Sequence, residues 1–152
     1  MKIEGTYAIS APREVVWQHL MNPDVLARSL PGCEKLVPNS DGSYHAELKI
    51  SIGAVKGSYH GRVEILDPRP PERYRMKVQG QGTSGFVKGE GTLALSDDGA
   101  AATKISYSGD AQVGGVIASV GQRLIHAAAN QMADHFFQEL AKQVQPSQMG
   151  QG

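Results

Sequence analysis

The sequence has almost no cysteine, no excess of either charge and no long apolar run. Cys33 is the only cysteine in 152 residues, which excludes an internal disulfide and a cysteine-rich metal site. Fifteen Lys plus Arg balance fifteen Asp plus Glu, so composition gives no electrostatic reason to expect nucleic acid as a partner. No run of about 18 apolar residues and no signal-peptide core is present. These absences favour a cytoplasmic protein.

Residues with recognisable chemistry are equally scarce. The five histidines lack metal-ligand spacing. The segment Gly80-Gln-Gly-Thr-Ser-Gly85 matches a dinucleotide-binding pattern only formally, because a strand pattern and not a helix follows it. Cys33 has no identifiable base beside it that would lower the pKa of its thiol. Glu90 and Asp110, the candidate acid–base pair, face outward according to the alternation of their strands. We therefore expect no catalytic residue, no metal and no cofactor, and a protein that is not itself an enzyme.

Changes in the spacing of apolar residues divide the chain into a small number of predicted strands and helices. Residues 2–10 alternate as a strand, and two short helices follow, with Ser10 as candidate N-cap of the first and Pro31-Gly32 ending the second. Short turns then separate strands predicted at 43–52, 55–66, 72–80, 86–96 and 101–113. Residues 116–144 follow an apolar stripe typical of one long helix.

These elements predict an α+β helix-grip fold. A curved antiparallel sheet of about seven strands would wrap around the long C-terminal helix, and the two short helices after the first strand would close one end. The single domain would cover residues 1–144, and the polar segment 145–152 is expected to be a disordered tail.

Glycine recurs on the inward faces of the predicted strands. By alternation the inward positions include Gly57, Gly61, Gly80, Gly89, Gly91 and Gly109. Because glycine has no side chain, a sheet face lined this way leaves space above it, so we expect a cavity between sheet and helix. A dry cavity of about 300 Å³ would cost about 7 kcal/mol, so it should hold water or a ligand, or be closed by a helix that can move. The alternative is that these glycines mark bulges and strong coiling of the sheet.

The same alternation predicts which side chains line the cavity. The expected lining residues are Tyr59, Gly61, Met76, Val78, Tyr107, Ile117, Val120, Leu124 and Ala128, and the expected mouth is formed by Leu30, Pro31, Phe86 and Val87. Either Tyr59 or Tyr107 could orient a ligand carbonyl, or each could be a core tyrosine bonded to backbone. Phe86, Val87 and Lys88 could gate the mouth, beside a flexible glycine-rich hairpin.

Four segments carry a resemblance to a known family. The stretches 30–34, 61–65, 80–85 and 107–115 resemble the CoxG family of carbon monoxide dehydrogenase proteins, within the START-like, Bet v 1-like (SRPBCC) superfamily. The resemblance implies an accessory protein of a molybdenum carbon monoxide dehydrogenase, with the dehydrogenase subunits as partners and a link to the membrane. It also suggests an isoprenoid quinone or lipid as cargo, and peripheral contact with the inner face of the cell membrane.

Two other functions remain open at this point. A cyclase or dehydratase of the same fold would need a general acid or base inside the cavity, and Tyr59 and Tyr107 are the only candidates. A protein-interaction module would use the loop predicted at 31–38 together with the hairpin at 80–91.

Overall fold

A computed structural model, described for residues 1–99 and 101–149, contains seven strands and three α-helices. The strands are β1 (Lys2–Ile9), β2 (Cys33–Pro38), β3 (Tyr44–Ile50), β4 (Gly57–Arg69), β5 (Arg73–Gly82), β6 (Gly85–Asp97) and β7 (Thr103–Gly114). The helices are α1 (Arg13–Leu20), α2 (Pro23–Ser29) and α3 (Gln122–Met149), and short 3-10 segments occupy Gly53–Val55 and Val116–Val120.

The strands form one antiparallel sheet in the order β1-β7-β6-β5-β4-β3-β2. Because β1 pairs with β7, the meander curls back on itself, and α3 packs against the concave side that we call the inner face. Cross-strand partners share a face, as Gly61 does with Gly80 and Val63 does with Val78. The predicted helix-grip fold and the predicted alternation are therefore confirmed.

The segment predicted as the exposed loop 31–38 is instead the edge strand β2. Gly32 adopts φ 66° and its carbonyl accepts a 2.8 Å hydrogen bond from the Lys49 amide, which starts the pairing with β3. A register shift between Cys33 and Lys35 marks a bulge at that point. Because the bulge interrupts the alternation of inward and outward residues, this strand was not recognised from the sequence.

The helix boundaries differ from the predicted ones at both ends of the chain. Helix α1 has Pro12 and not Ser10 as its N-cap. Helix α3 begins at Gln122 and not at residue 116, because Gly121 has φ 95° and separates it from the 3-10 segment Val116–Val120. At its other end α3 continues past residue 144 to Met149. The last three residues of the expected tail, 150–152, lie outside the described residues.

The apolar core lies at one end of the sheet, beneath α1 and the second half of α3. Ile9 and Ile105 from the sheet meet Val16, Leu20 and Leu140 from the helices, and all five are almost completely buried. Burial of an aliphatic side chain of this size stabilises a fold by about 1.5–3 kcal/mol. This end of the molecule therefore anchors the domain and positions the rest of the inner face.

Candidate functional site

The inner face of the sheet differs between its two ends. At the closed end, defined by Ile9, Tyr74, Leu93, Leu95 and Ile105, every inward side chain is buried. At the open end, which carries the start of β4, the turn between β5 and β6, and the end of β7, the inward residues are only half-buried. These residues are Tyr59, Gly61, Val63, Val78, Gly80, Val87, Gly89, Ala111 and Val113. Solvent thus reaches an apolar face that a solid core would cover.

Helix α3 leaves the inner face of the open end partly accessible to solvent. In the described part of the chain its main backbone neighbours are α1, α2, β1 and the two 3-10 segments. Gln143 ties it to α2, since its amide nitrogen lies 2.8 Å from the Ser29 hydroxyl. We call the half-buried apolar face between the first half of α3 and strands β4 to β7 the groove.

The inward glycines contribute to the groove in two different ways. A methyl group added at Gly91 would lie 2.7 Å from the Ser108 carbonyl oxygen, and one at Gly61 would overlap the Gln79 carbonyl. These two glycines allow the sheet to coil tightly. A methyl group at Gly80 or Gly89 would meet its neighbours at 3.5 Å or more, which is ordinary van der Waals contact. The interpretation as tight coiling therefore fits Gly61 and Gly91, whereas close contact does not require glycine at Gly80 and Gly89.

Tyr107 is a half-buried polar residue on the inner face, paired with Gly5 of β1 and Leu93 of β6. Its ring lies over Gly5, its partner on β1, and stacks on Phe137 of α3 with the ring centres 5.1 Å apart. Within the described residues its hydroxyl has no hydrogen-bond partner. Burial, and secondarily the nearby Asp134 carboxylate, raise the pKa of Tyr107, so the phenol stays protonated and can donate.

Tyr59 lies on the same face but its hydroxyl is already engaged. It donates a 2.7 Å hydrogen bond to the Val55 carbonyl, which ties β4 to the 3-10 segment Gly53–Val55. Burial raises the pKa of Tyr59 as well. Of the two tyrosines predicted to orient a ligand, only Tyr107 has a free hydroxyl among the described residues.

The residues predicted to line the cavity differ in how far they are buried. Met76 and Val78 are half-buried on the inner face as expected from parity, and Ile117 and Ala128 are buried. Val120 and Leu124 are exposed, with 54% of Leu124 accessible to solvent. The lining set as a whole stays a prediction.

Sequence reasoning missed the aromatic floor of the groove. Phe137 is buried and stacks on both Tyr7 and Tyr107, with ring centres 5.6 and 5.1 Å apart. Phe136, which the apolar stripe favoured, is only half-buried and meets Phe137 edge to face. Adjacent phenylalanines leave the register of a stripe ambiguous by one residue, which is about 100° around a helix.

The predicted mouth residues do not form one rim. Val87 faces inward and is half-buried, whereas the ring of Phe86 lies over Gly114 on the outer face. Leu30 is half-buried and Pro31 is buried where α2 leads into β2. The hairpin expected to be flexible is tied down, because the Ile117 amide donates a 2.8 Å hydrogen bond to the Ser84 carbonyl.

Two shallow hollows of defined volume lie on the outer face. One of about 410 Å³ is lined by Glu4, Gly5, Thr6, Thr92, Ala94, Ser106, Tyr107 and Ser108. Another of about 190 Å³ is lined by Gln79, Gly80, Gln81, Phe86, Val87 and Lys88. Most of these residues have outward parity. They are therefore separate from the groove between sheet and helix.

No catalytic constellation accompanies the groove in the described chain. Within residues 1–99 and 101–149, no three His, Cys, Asp or Glu side chains are placed to hold a metal ion. Burial raises the pKa of the Cys33 thiol, which disfavours the nucleophilic thiolate.

Across the described helices, none combines the length and the apolar character needed to cross a bilayer.

The curved seven-stranded sheet around a C-terminal helix defines the START-like class of helix-grip proteins. A crystal structure of a conserved protein from Geobacillus kaustophilus superimposes with a TM-score of 0.94 at 34% identity, over 97% of each chain. A START superfamily protein from Mycobacterium smegmatis matches with a TM-score of 0.73 at 14% identity, over 95% of this chain and 97% of its own.

An enzyme shares the same fold. The Zhui aromatase/cyclase from Streptomyces sp. R1128 superimposes with a TM-score of 0.68 at 16% identity, over 95% of this chain and 93% of its own. Identities this low show the fold alone. No curated protein is similar in sequence to this chain.

The sequence itself assigns the family. Residues 5–145 match the model of the carbon monoxide dehydrogenase CoxG family, so the chain belongs to that family. The resemblance carried by the four sequence segments is thereby confirmed.

Proposed function

We propose that this protein is a non-catalytic accessory factor of a carbon monoxide dehydrogenase that binds a hydrophobic ligand in the groove between α3 and the sheet. The observation that carries the proposal is the half-buried apolar face at the open end, which would cost free energy if it faced water with no occupant. Membership of the CoxG family supports the association with the dehydrogenase.

The free hydroxyl of Tyr107 supports a ligand with a hydrogen-bond acceptor. Tyr107 stands among apolar neighbours and is held in place by stacking on Phe137. An isoprenoid quinone fits this pattern, because its ring carbonyls accept hydrogen bonds and its tail is apolar. We propose a quinone as the ligand, and we propose that its transfer links the dehydrogenase to the electron carriers of the membrane.

The same geometry disfavours the cyclase or dehydratase alternative. General acid–base catalysis needs groups that converge on one reacting centre. The Tyr59 hydroxyl is bonded to the Val55 carbonyl, so it is not a free partner for Tyr107. A binding role requires only one donor.

Titration of the protein with decylubiquinone by calorimetry tests the proposal, after mass spectrometry of a denaturing extract has established what co-purifies. We expect Tyr107→Phe to weaken quinone binding about two- to tenfold, the range for one hydrogen bond of about 0.5–1.5 kcal/mol. Folding stability should stay within about 0.5 kcal/mol.

Tyr59→Phe is the matched control for this experiment. It should cost about 0.5–1.5 kcal/mol of folding stability, since the bond to the Val55 carbonyl is lost, and leave quinone affinity unchanged. An absence of binding by the wild-type protein, with an extract free of lipid, would overturn the proposal.

A further inference from the structure

The two free edges of the sheet differ in how well they are protected against pairing with another chain. Strands β1 and β2 lie at the two ends of the strand order, so each presents one row of backbone amides and carbonyls that no strand of the described sheet pairs. Such a row can bind a further strand unless a proline, a bulge or a charge interferes. Strand β2 carries both a bulge and a proline, and β1 carries neither.

Edge strand β2 is blocked by its own sequence. The Asn39 amide donates a 2.7 Å hydrogen bond to the Ser43 carbonyl, and hydrogen-bonded pairs alternate along an antiparallel ladder. The nitrogen of Pro38, one residue earlier, therefore faces the free edge and has no hydrogen to donate. The bulge between Cys33 and Lys35 distorts the other end of the strand. A partner strand finds no regular edge at β2.

The first half of β1 is a regular edge. The strand pairs with β7 in one unbroken register over Lys2–Ile9. The Met1 amino group donates a 2.8 Å hydrogen bond to the Ala111 carbonyl, and the Ala111 amide donates one of 2.8 Å to the Met1 carbonyl. By alternation, the backbone groups of Lys2 and Glu4 point away from β7 toward the free edge. In the described chain no other backbone group bonds to them.

The start of β1 is held in place and accessible at the same time. The Met1 amino group also lies 3.2 Å from the Asp110 carboxylate, so the first residue is fixed to β7. Farther along the strand, Ile9 belongs to the buried core under the helices, whereas Ile3 lies outside it. The accessible part of the edge is therefore confined to about residues 2–5.

The charges on this edge complement a second copy of the same edge. If two β1 edges pair antiparallel about a two-fold axis at Ile3, Lys2 of each copy lies opposite Glu4 of the other. The next two-fold register would place Glu4 opposite Glu4, and like charges directly opposite are destabilising. Both side chains are exposed, and their contact within one chain is long at 3.9 Å. Pairing at Ile3 also brings the two Ile3 side chains together on the inner face.

We propose that two copies of this chain associate through the first half of β1, so that their sheets join into one continuous antiparallel sheet. Lys2 of each copy exchanges two backbone hydrogen bonds with Glu4 of the other, and their side chains form an ion pair. Because the paired segment is short, the dimer is weak and reversible. The contact lies outside the groove, so this inference does not depend on the proposed function.

Sedimentation velocity of the full chain from about 10 µM to about 1 mM tests the association. We expect the wild type to shift from one chain toward two as its concentration rises. Glu4→Lys should weaken association about tenfold or more, because a lysine would then face Lys2 at both symmetric positions. The exchange variant Lys2→Glu, Glu4→Lys restores both opposite-charge pairs and should recover association to within about threefold of the wild type.

Backbone pairing is tested separately from charge. Glu4→Pro removes an amide that points outward while leaving the bonds to β7 in place, so it should abolish the dimer. The matched control is Glu34→Lys, which makes the same charge change as Glu4→Lys at an exposed position of β2 and should leave association unchanged. Thermal unfolding of each variant would establish that it is folded.

A cross-link tests the register. In a Cys33→Ser background, Ile3→Cys should form a disulfide between two chains under mild oxidation. The two Cα atoms at such a non-hydrogen-bonded pair lie about 4.5 Å apart, which a disulfide spans. Thr6→Cys is the matched control, because residue 6 lies beyond the paired segment, and it should not cross-link.

The outcomes decide the proposal without reference to the groove. Cross-linking by Ile3→Cys together with recovery by the exchange variant would support it. A chain that stays monomeric up to about 1 mM would overturn it, as would a dimer that resists both Glu4 variants, since that dimer would use another surface. Loss in Glu4→Lys without recovery by the exchange variant would overturn the register. Quinone affinity should be the same in all these variants, so failure of the proposed function is seen independently.

Discussion

The two ends of the sheet are built by the same strands but treat their inner faces differently. At the closed end, bulky side chains such as Tyr74, Leu95 and Ile105 meet Leu140 and are buried. At the open end, the same strands carry glycine at positions such as Gly80 and Gly89, and the inward face remains half-exposed. The comparison shows how one fold stabilises itself at one end and leaves an accessible apolar face at the other.

The largest expected effect comes from two leucines of the same helix. Leu140 is fully buried at 0% exposure, and Leu140→Ala should lower the free energy of unfolding by about 2–5 kcal/mol. Leu124 lies about four turns earlier with its side chain in solvent, and Leu124→Ala should cost less than about 1 kcal/mol. Urea denaturation of both variants measures the difference. Equal losses would mean that the open end is packed as tightly as the closed one.

A smaller loss of folding stability is expected for a substitution at Gly5, the cross-strand partner of Tyr107. A methyl group at Gly5 would lie 2.7 Å from Cζ of Tyr107, so Gly5→Ala should displace that ring and cost about 1–3 kcal/mol of stability. Quinone affinity should fall with it. The control is Gly89→Ala, at an inward strand position where the added methyl group would make only ordinary van der Waals contact, and it should be neutral or slightly stabilising. If both substitutions were harmless, Tyr107 would not depend on Gly5.

The closed end should also determine how stability falls at alkaline pH. Burial raises the pKa of Tyr74 strongly, whereas the unfolded chain has the ordinary tyrosine value of about 10. The neutral phenol therefore contributes full stability below pH 10, and above it stability should fall by up to about 1.4 kcal/mol per pH unit. Tyr74→Phe should flatten this decline in urea denaturation measured between neutral pH and about pH 11. An unchanged slope would assign the decline to other groups.

Much of the fold could be predicted from periodicity, because it depends on local patterns. Alternation in β4 indicated its inward face, and the change of period after β7 indicated a long helix. The edge strand β2 was missed because its bulge interrupts the alternation. The start of α3 was misplaced because the sequence does not say that Gly121 will adopt φ 95°.

The candidate site was less predictable, because burial and hydrogen bonding depend on distant parts of the chain. Tyr59 and Tyr107 look alike in sequence, with the same parity and similar neighbours. Only the tertiary structure engages one hydroxyl with the Val55 carbonyl and leaves the other free among the described residues. It likewise selects Phe137 over Phe136 as the aromatic floor, since the register of α3 against β1 and β7 decides which ring is covered.

The sequence by itself determined the family, the order of the elements and which side chains face inward, because these follow from short motifs and from periods of 2 and 3.6 residues. The tertiary structure alone decided that the inner face stays half-exposed at one end, and that among the described residues the Tyr59 hydroxyl is bonded whereas the Tyr107 hydroxyl is free. The physical reason is that these properties depend on how closely α3 and the curved sheet approach each other, which residues far apart in the chain set together.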